Sequence, residues 1–386
     1  MHNIRIEDKL SNFGTTIFTV MSSLAQKHNA INLSQGFPDF QPDPHLIEIA
    51  QKYIDSPFQQ YAPMPGTADL RETITEIVQN CYNRKINPDT EITITAGATQ
   101  AIYTAIAAFV QSGDEVILFE PAYDCYAPAI IVNGGIPVYC ELQYPDFKIN
   151  WDEVKSKVSP KTKMIIINTP HNPTGAVLSA ADMLHLIEII KNTNILVLSD
   201  EVYEHIIFDN LQHDSVLRFD ELFERSIMVS SFGKTIHTTG WKIGYFIAPE
   251  KIMSVLRKVH QFLVFAVNHP LQKTIAEYLK NSQHYLSLKT FYQKKRDFFI
   301  SRIQNPFLKI FSSKGTYFVL LDYSTISTKK DTEFAIELVE KHKLASIPMS
   351  VFYHQKKDYH LLRFCFAKKE ETLLQAVEIL NQLNPS

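Results

Sequence analysis

Residues 163–205 read KMIIINTPHNPTGAVLSAADMLHLIEIIKNTNILVLSDEVYEH. Two short apolar runs, Met164–Ile167 and Ile195–Leu198, are each followed by polar or turn-forming residues. Between them, SAADMLHLIEIIKNT (179–193) spaces its apolar residues as an amphipathic helix does. Strand, helix and strand in that order are the unit of a parallel sheet, and unbroken apolar strands belong to a sheet covered on both faces.

The alternation continues on either side. EITITAG (91–97) leads into ATQAIYTAIAAFVQSG, a helical pattern closed by Gly113. DEVILFEPAY (114–123), YAPAIIVNGG and GIPVYCELQ (135–143) follow, and RSIMVSSFGKT (225–235) and KIGYFIAP (242–249) complete the series. The pattern predicts an α/β fold with a mainly parallel sheet between helices. Ligands of such sheets gather at the carboxyl ends of the strands. Gly97–Thr99, Tyr123, Asn172, Asp200, Tyr203 and Lys234 each follow an apolar run and so fall at those ends.

After about residue 271 the texture changes. The polar helical stretch LQKTIAEYLKNSQHYLSLKTFYQKKRDFFISRIQ reads as one long connecting helix. It leads to GTYFVLLDYS (315–324) and YHLLRFCFAKKEETLLQAVEILNQL (359–383), a smaller α/β lobe. The expected division is an N-terminal arm and part of the small domain over 1–45, a large domain over 46–285 and a small C-terminal domain over 286–386. No internal repeat or low-complexity segment interrupts it.

The chain has 386 residues, 45% hydrophobic and 20% charged, the proportions of a globular protein. A formal charge of −3 offers no electrostatic attraction to nucleic acid or an anionic membrane. No apolar run approaches the about 18 residues of a membrane span, and the start, MHNIRIEDKLSNFG, carries charges where a signal peptide has an apolar core. The 4 cysteines are widely separated, with no CxxC pair and no histidines at zinc-ligand spacing. A cytoplasmic protein with reduced thiols is expected.

Lys234 lies in MVSSFGKTIHTTGWKIGY (228–245), where Gly233-Lys234-Thr235 imitates the end of a P-loop. A P-loop needs glycine where this chain has Met228, because successive backbone N–H groups must wrap the phosphates. A lysine at a strand end in a desolvated cleft can instead bond a carbonyl carbon through an amine of lowered pKa. Asp200, ending a buried run, can hold a pyridine nitrogen in its protonated form, although on its own it fits a helix N-cap equally well. NTPHNPTG (168–175) makes a rigid turn that offers the Asn172 amide at the cleft floor. TAGATQA opens a helix directly after a strand, leaving free N–H groups for a phosphate.

Taken together these residues resemble the pyridoxal-phosphate-dependent class I aminotransferases of fold type I. SQGFPDF, QYAP, TAGATQA, EPAYDCYAP, NTPHNPTG, SDEVYEH, SSFGKT…TGWKIGY and LRFCFAK stand in the family's order over nearly the whole chain. The wording is similar to the kynurenine/methionine aminotransferase branch, with GTTIFTVMSSLA and NLSQGFPDF most like its bacterial methionine-specific members. The resemblance implies a large domain with a seven-stranded sheet plus a smaller α/β domain, and pyridoxal 5′-phosphate as cofactor.

By that resemblance Lys234 bonds the cofactor and then serves as the acid–base group. Asp200 meets the ring nitrogen, Asn172 and Tyr203 the phenolic oxygen, and Tyr123 the ring face. Ala98, Thr99 and Ser231 seat the phosphate. Lys242 joins them where many relatives have arginine, a point charge in place of a bidentate fork. Tyr61 in QQYAP matches a tyrosine that reaches the neighbouring subunit's phosphate, which implies a homodimer with its active site at the interface. Arg363, a charge inside the apolar strand LLRFCF, matches the arginine that grips the substrate carboxylate, with Gly36 and Asn172 beside it. Phe18 and Phe265 match aromatic pocket residues, and each also suits an ordinary core position.

The expected reaction is ping-pong transfer of the amino group of methionine, or another large apolar or aromatic amino acid, to a 2-oxo acid. Kynurenine transamination and β-elimination from cysteine S-conjugates are the alternatives within the same chemistry. A catalytically silent binding or regulatory homologue is the alternative outside it. No metal, nucleic acid or membrane partner is expected.

Overall fold

Alternate residues of the run 164–167 enter different cores. Met164 and Ile166 join an apolar cluster on one face of the sheet, and Ile165 and Ile167 join the cluster on the other. The same alternation separates Leu198 from Val197, and Ile227 and Val229 from Met228. A strand's side chains alternate with a period of two, so burial on both faces makes the run continuously apolar. Each such side chain contributes about 1.5–3 kcal/mol through burial.

The computed structural model describes residues 6–385. A short strand, β1 (Ile31–Asn32), precedes the large sheet. That sheet contains β2 (Ile92–Thr95), β3 (Glu115–Glu120), β4 (Ile136–Glu141), β5 (Thr162–Asn168), β6 (Leu196–Asp200), β7 (Ser226–Ser231) and β8 (Gly244–Ile247). Among the described residues it is a 7-stranded sheet in the order β2-β8-β7-β6-β5-β3-β4. Only β8 runs against its neighbours. The mainly parallel seven-stranded sheet expected from sequence is therefore present. Helices Ala98–Phe109, Tyr126–Val132 and Glu250–Leu263 cover one face, and Ala68–Tyr82 and Ala180–Ile190 pack on the other.

The small lobe is built on β9 (Lys309–Phe311), β10 (Phe318–Asp322), β11 (Leu344–Ala345), β12 (Ile347–Pro348) and β13 (Leu361–Cys365). Four of these form an antiparallel sheet in the order β12-β13-β10-β9, which puts Arg363 on an inner strand between Leu320 and Ile347. β1 instead pairs in parallel with β11, and the Leu33 carbonyl accepts from the Cys365 amide at 2.8 Å. The segment leading to Gly36 is thereby fastened to the small lobe. Glu120 and Glu141, ending β3 and β4, grip the loop before β13 through His354 Nδ1 at 2.7 Å and Lys357 Nζ at 2.7 Å.

The single long connecting helix is corrected. The segment forms three helices, His269–Leu279, Gln283–Leu286 and Leu288–Arg302. Asn281 accepts from the Gln283 amide through its side chain at 3.1 Å, a local turn that competes with helix continuation. Among the described residues no helix is long and apolar enough to cross a membrane.

Candidate active site

The strand ends singled out in the sequence open into one cavity of about 140 Å3. Ala98, Thr99, Tyr123, Asn172, Asp200, Tyr203, Ser231, Lys234 and Lys242 all line it.

Lys234 is positioned by a tight turn. β7 ends at Ser231 and passes into the short helix Phe232–Thr235, where a Cβ on Gly233 would come 2.9 Å from the Thr239 backbone. The Lys234 amine donates to the Gly36 carbonyl at 3.0 Å and lies 2.9 Å from the Tyr317 hydroxyl. Both partners belong to the part of the chain joined to the small lobe. Gly36 must be small, since a Cβ there would stand 2.8 Å from the Phe318 ring. Burial brings the Lys234 amine down to about 8, with the positive charges of Arg363 and Lys242 acting in the same direction.

Asp200 ends β6 and is 3% exposed. Its carboxylate accepts from the Tyr126 hydroxyl at 2.6 Å and from the Val202 amide at 3.3 Å. Burial raises the carboxyl to about 6, and the Tyr126 hydrogen bond opposes that rise. No helix begins here; a turn follows, so the helix-cap alternative for Asp200 does not hold.

The turn after β5 links the acid to the arginine. Asn168 lies in register with Asp200, donates to its backbone carbonyl at 2.8 Å and accepts from the Asn172 amide at 2.8 Å. Asn172 in turn accepts from Arg363 Nη1 at 2.7 Å. Arg363 is 1% exposed, and its Nη2 donates to the Ser34 carbonyl at 3.0 Å while its Nε has no partner among the described residues. Its guanidinium sits 3.8 Å from the centre of the Phe318 ring and 5.2 Å from that of Phe18. Among the described residues no carboxylate forms an ion pair with it. A buried guanidinium left in this state suits an incoming carboxylate.

The opposite end suits a phosphate. Helix Ala98–Phe109 begins at Gly97, at φ 78°, with no side chain capping its first N–H groups. The Lys242 amine would stand 3.2 Å from a Cβ on Gly97, and it has no hydrogen bond or ion pair to a described residue. Uncapped N–H groups beside a free ammonium form an anion seat.

Not every expected residue meets the cavity. Arg363, Gly36 and Phe18 stand behind its lining, reached through Asn172 and Lys234. Tyr61 and Phe265 are outside it, packed edge to face at 5.3 Å and 82% and 46% exposed. Tyr126, Asn168 and Tyr317 were not singled out from the sequence. Asn168 carried a signal, since it ends a strand beside Asp200, and Tyr126 follows Tyr123 by one helical step. Tyr317 carried none, because its lobe meets Lys234 only through tertiary packing.

Comparison with known proteins agrees with this geometry. Residues 28–380 match the family Aminotransferase class I and II. The chain is 49% identical over 378 residues to a methionine aminotransferase of Escherichia coli, covering 98% of each chain. It is 33% identical to a kynurenine–oxoglutarate transaminase of Dictyostelium discoideum, covering 97% of this chain and 95% of that one. The crystal structure of YbdL from Escherichia coli, whose reactivity identifies a methionine aminotransferase function, superposes with a TM-score of 0.96 at 48% identity, over 99% of this chain and 100% of that one.

Proposed function

This chain belongs to the class I and II aminotransferases, and on that premise we propose that its preferred donor is methionine or another large apolar or aromatic amino acid, with a 2-oxo acid as acceptor. Its activity is amino transfer, and the family's cofactor is pyridoxal phosphate.

The side chains present fit that group. The unpartnered Lys242 amine and the uncapped N-terminus at Gly97 suit its phosphate, and the buried Asp200 suits its ring nitrogen. Ala98, Thr99 and Ser231 complete the phosphate seat in this reading. Tyr123, Asn172 and Tyr203 line the same cavity, where Tyr123 would serve the ring face and Asn172 and Tyr203 the phenolic oxygen. When bound, the cofactor supplies an electron sink for negative charge at the substrate's α-carbon.

The protein's own groups do the rest. Lys234 would hold the cofactor, and its Nζ is the group placed to move the α-proton; an amine ionising at about 8 is suited to both taking and returning a proton. Arg363 binds the substrate carboxylate with Asn172 and the Gly36 backbone, and so orients the α-carbon. The phenylalanines around Arg363 exclude water.

The observation that carries the donor preference is the setting of Arg363. It is enclosed by Phe18, Phe318 and Phe352, an aromatic surround that suits an apolar donor side chain. The methionine aminotransferase relative, 49% identical over 98% of the chain, supports the same choice. A panel of amino donors against several 2-oxo acids tests it. Methionine, leucine or an aromatic donor is expected to lead in kcat/KM, and a lead by aspartate or glutamate overturns the reading. Kynurenine and a cysteine S-conjugate belong in the panel as the alternative donors.

We also propose a homodimer in which Tyr61 reaches the partner's phosphate seat and Phe265 borders the partner's substrate pocket. The exposure of Tyr61 and Phe265, with Phe262 85% exposed in the same region, supports it. Sedimentation at micromolar concentration is expected to give twice the chain mass, and a monomer that retains full activity overturns it.

A further inference from the structure

Among the described residues, Tyr126 is the one whose side chain hydrogen-bonds the Asp200 carboxylate, at 2.6 Å. It is 3% exposed, its ring packs edge-on against Tyr123 at 5.8 Å, and its hydroxyl makes no other hydrogen bond to a described residue. The remaining contact to that carboxylate is the 3.3 Å one from the Val202 amide. We propose that Tyr126 is a positioning residue for amino transfer: its O–H fixes the plane of the Asp200 carboxylate and favours the anionic form that meets the cofactor's ring nitrogen. This rests on the reading of Asp200 as the partner of that nitrogen.

The physical case is one of competing influences on a single acid. Burial favours neutral Asp200, and the adjacent Glu201 carboxylate acts in the same direction. Cys125 and Tyr123, from the segment after β3, and Tyr203, from its own strand end, are weak acids that stay neutral because burial raises them. Lys234, from the turn after β7, favours the anion, but burial has brought its amine down to about 8. Tyr126 does not titrate away, since burial and Asp200 itself push its hydroxyl far above the usual phenol range. It is thus a donor at every working pH, aimed at one oxygen of the acid.

The test follows pyridoxal phosphate affinity rather than turnover. Dissociation constants are measured by spectroscopic titration between pH 5.5 and 8.5 for the wild type, Tyr126→Phe and Asp200→Asn. Wild-type affinity is expected to fall on the acid side as Asp200 takes a proton. In Tyr126→Phe that fall should move up by about one pH unit, with binding about threefold weaker near pH 6.5, nearly tenfold weaker at pH 5.5 and close to wild type at pH 8.5. Asp200→Asn should bind weakly with no such fall.

A Tyr126→Phe variant with the wild-type acid limb, or with a uniform loss at all pH values, overturns the role of Tyr126 while that of Asp200 stands. An Asp200→Asn variant with wild-type affinity and pH dependence overturns the reading of Asp200 itself. Should Tyr126→Phe fail to fold, fluorotyrosine at position 126 decides the matter. It is a stronger donor of the same shape and must shift the limb downward; an unmoved limb overturns the proposal.

Discussion

Arg363 Nη1 donates to Asn172 Oδ1 across 2.7 Å, joining an inner strand of the small sheet to the turn that follows β5. The bond leaves Nε free and holds the guanidinium in one plane. Replacing Arg363 by Gln should reduce kcat/KM for amino-acid donors about 100- to 1000-fold, mostly through KM, as for loss of a buried charge-assisted pair. Steady-state kinetics with methionine check this. A simple amine lacking the carboxylate should show a much smaller change.

Lys234→Ala should reduce transamination by at least about a thousandfold, because the proposed covalent anchor and acid–base group are both lost. Stopped-flow half-reactions with methionine measure it. Added ethylamine should restore part of the rate by supplying a diffusible base.

The Lys234 amine also makes stability depend on pH. Its folded value of about 8 lies below the ordinary lysine value, so the unfolded chain holds this proton more firmly. The resulting destabilisation is fully present below pH 8 and fades as pH rises through 10.5, above which both states are neutral. In the cofactor-free protein, Lys234→Met should therefore be more stable than wild type at pH 7, by about 2 kcal/mol after allowance for partial exposure. Urea unfolding at pH 7 and 10 should show the difference shrinking.

In the proposed site Lys242 would separate phosphate binding from ring binding. Lys242→Ala should weaken pyridoxal phosphate about 10- to 100-fold and leave pyridoxal, which has no phosphate, nearly unchanged. Lys242→Arg should retain most of the affinity. Equilibrium titration of each variant with both compounds checks the contrast.

Gly36→Ala places a methyl group 2.8 Å from the Phe318 ring, which itself stacks on Arg363. Overpacking of this kind costs about 1–3 kcal/mol. Thermal unfolding should register the loss, and KM for methionine should rise as the guanidinium is displaced.

Much of this architecture was legible because the sheet is buried on both faces. Runs such as Met164–Ile167 announce strands without help from tertiary structure, and the reactive residues follow them directly. The break in the helical stretch at Asn281 was harder, since a competing side-chain hydrogen bond leaves the apolar spacing intact. Tyr317 could not be found because its contact with Lys234 depends on how the small lobe meets the large sheet. Tyr61 and Phe265 were named by likeness alone, and within one chain they sit away from the cavity.

Ser34 and Arg363 meet although 329 positions separate them in the chain. On the ribosome the arm carrying Gly36 emerges first and has no strand to join until β11 and β13 have been made. By then β2 to β8 have been synthesised, and with them Asp200, Lys234 and the helix N-terminus beside Lys242. In the proposed reading the nascent protein therefore holds the cofactor-facing half of its cavity before the carboxylate grip exists. Competence toward amino acids arrives only with the last strand of the small sheet.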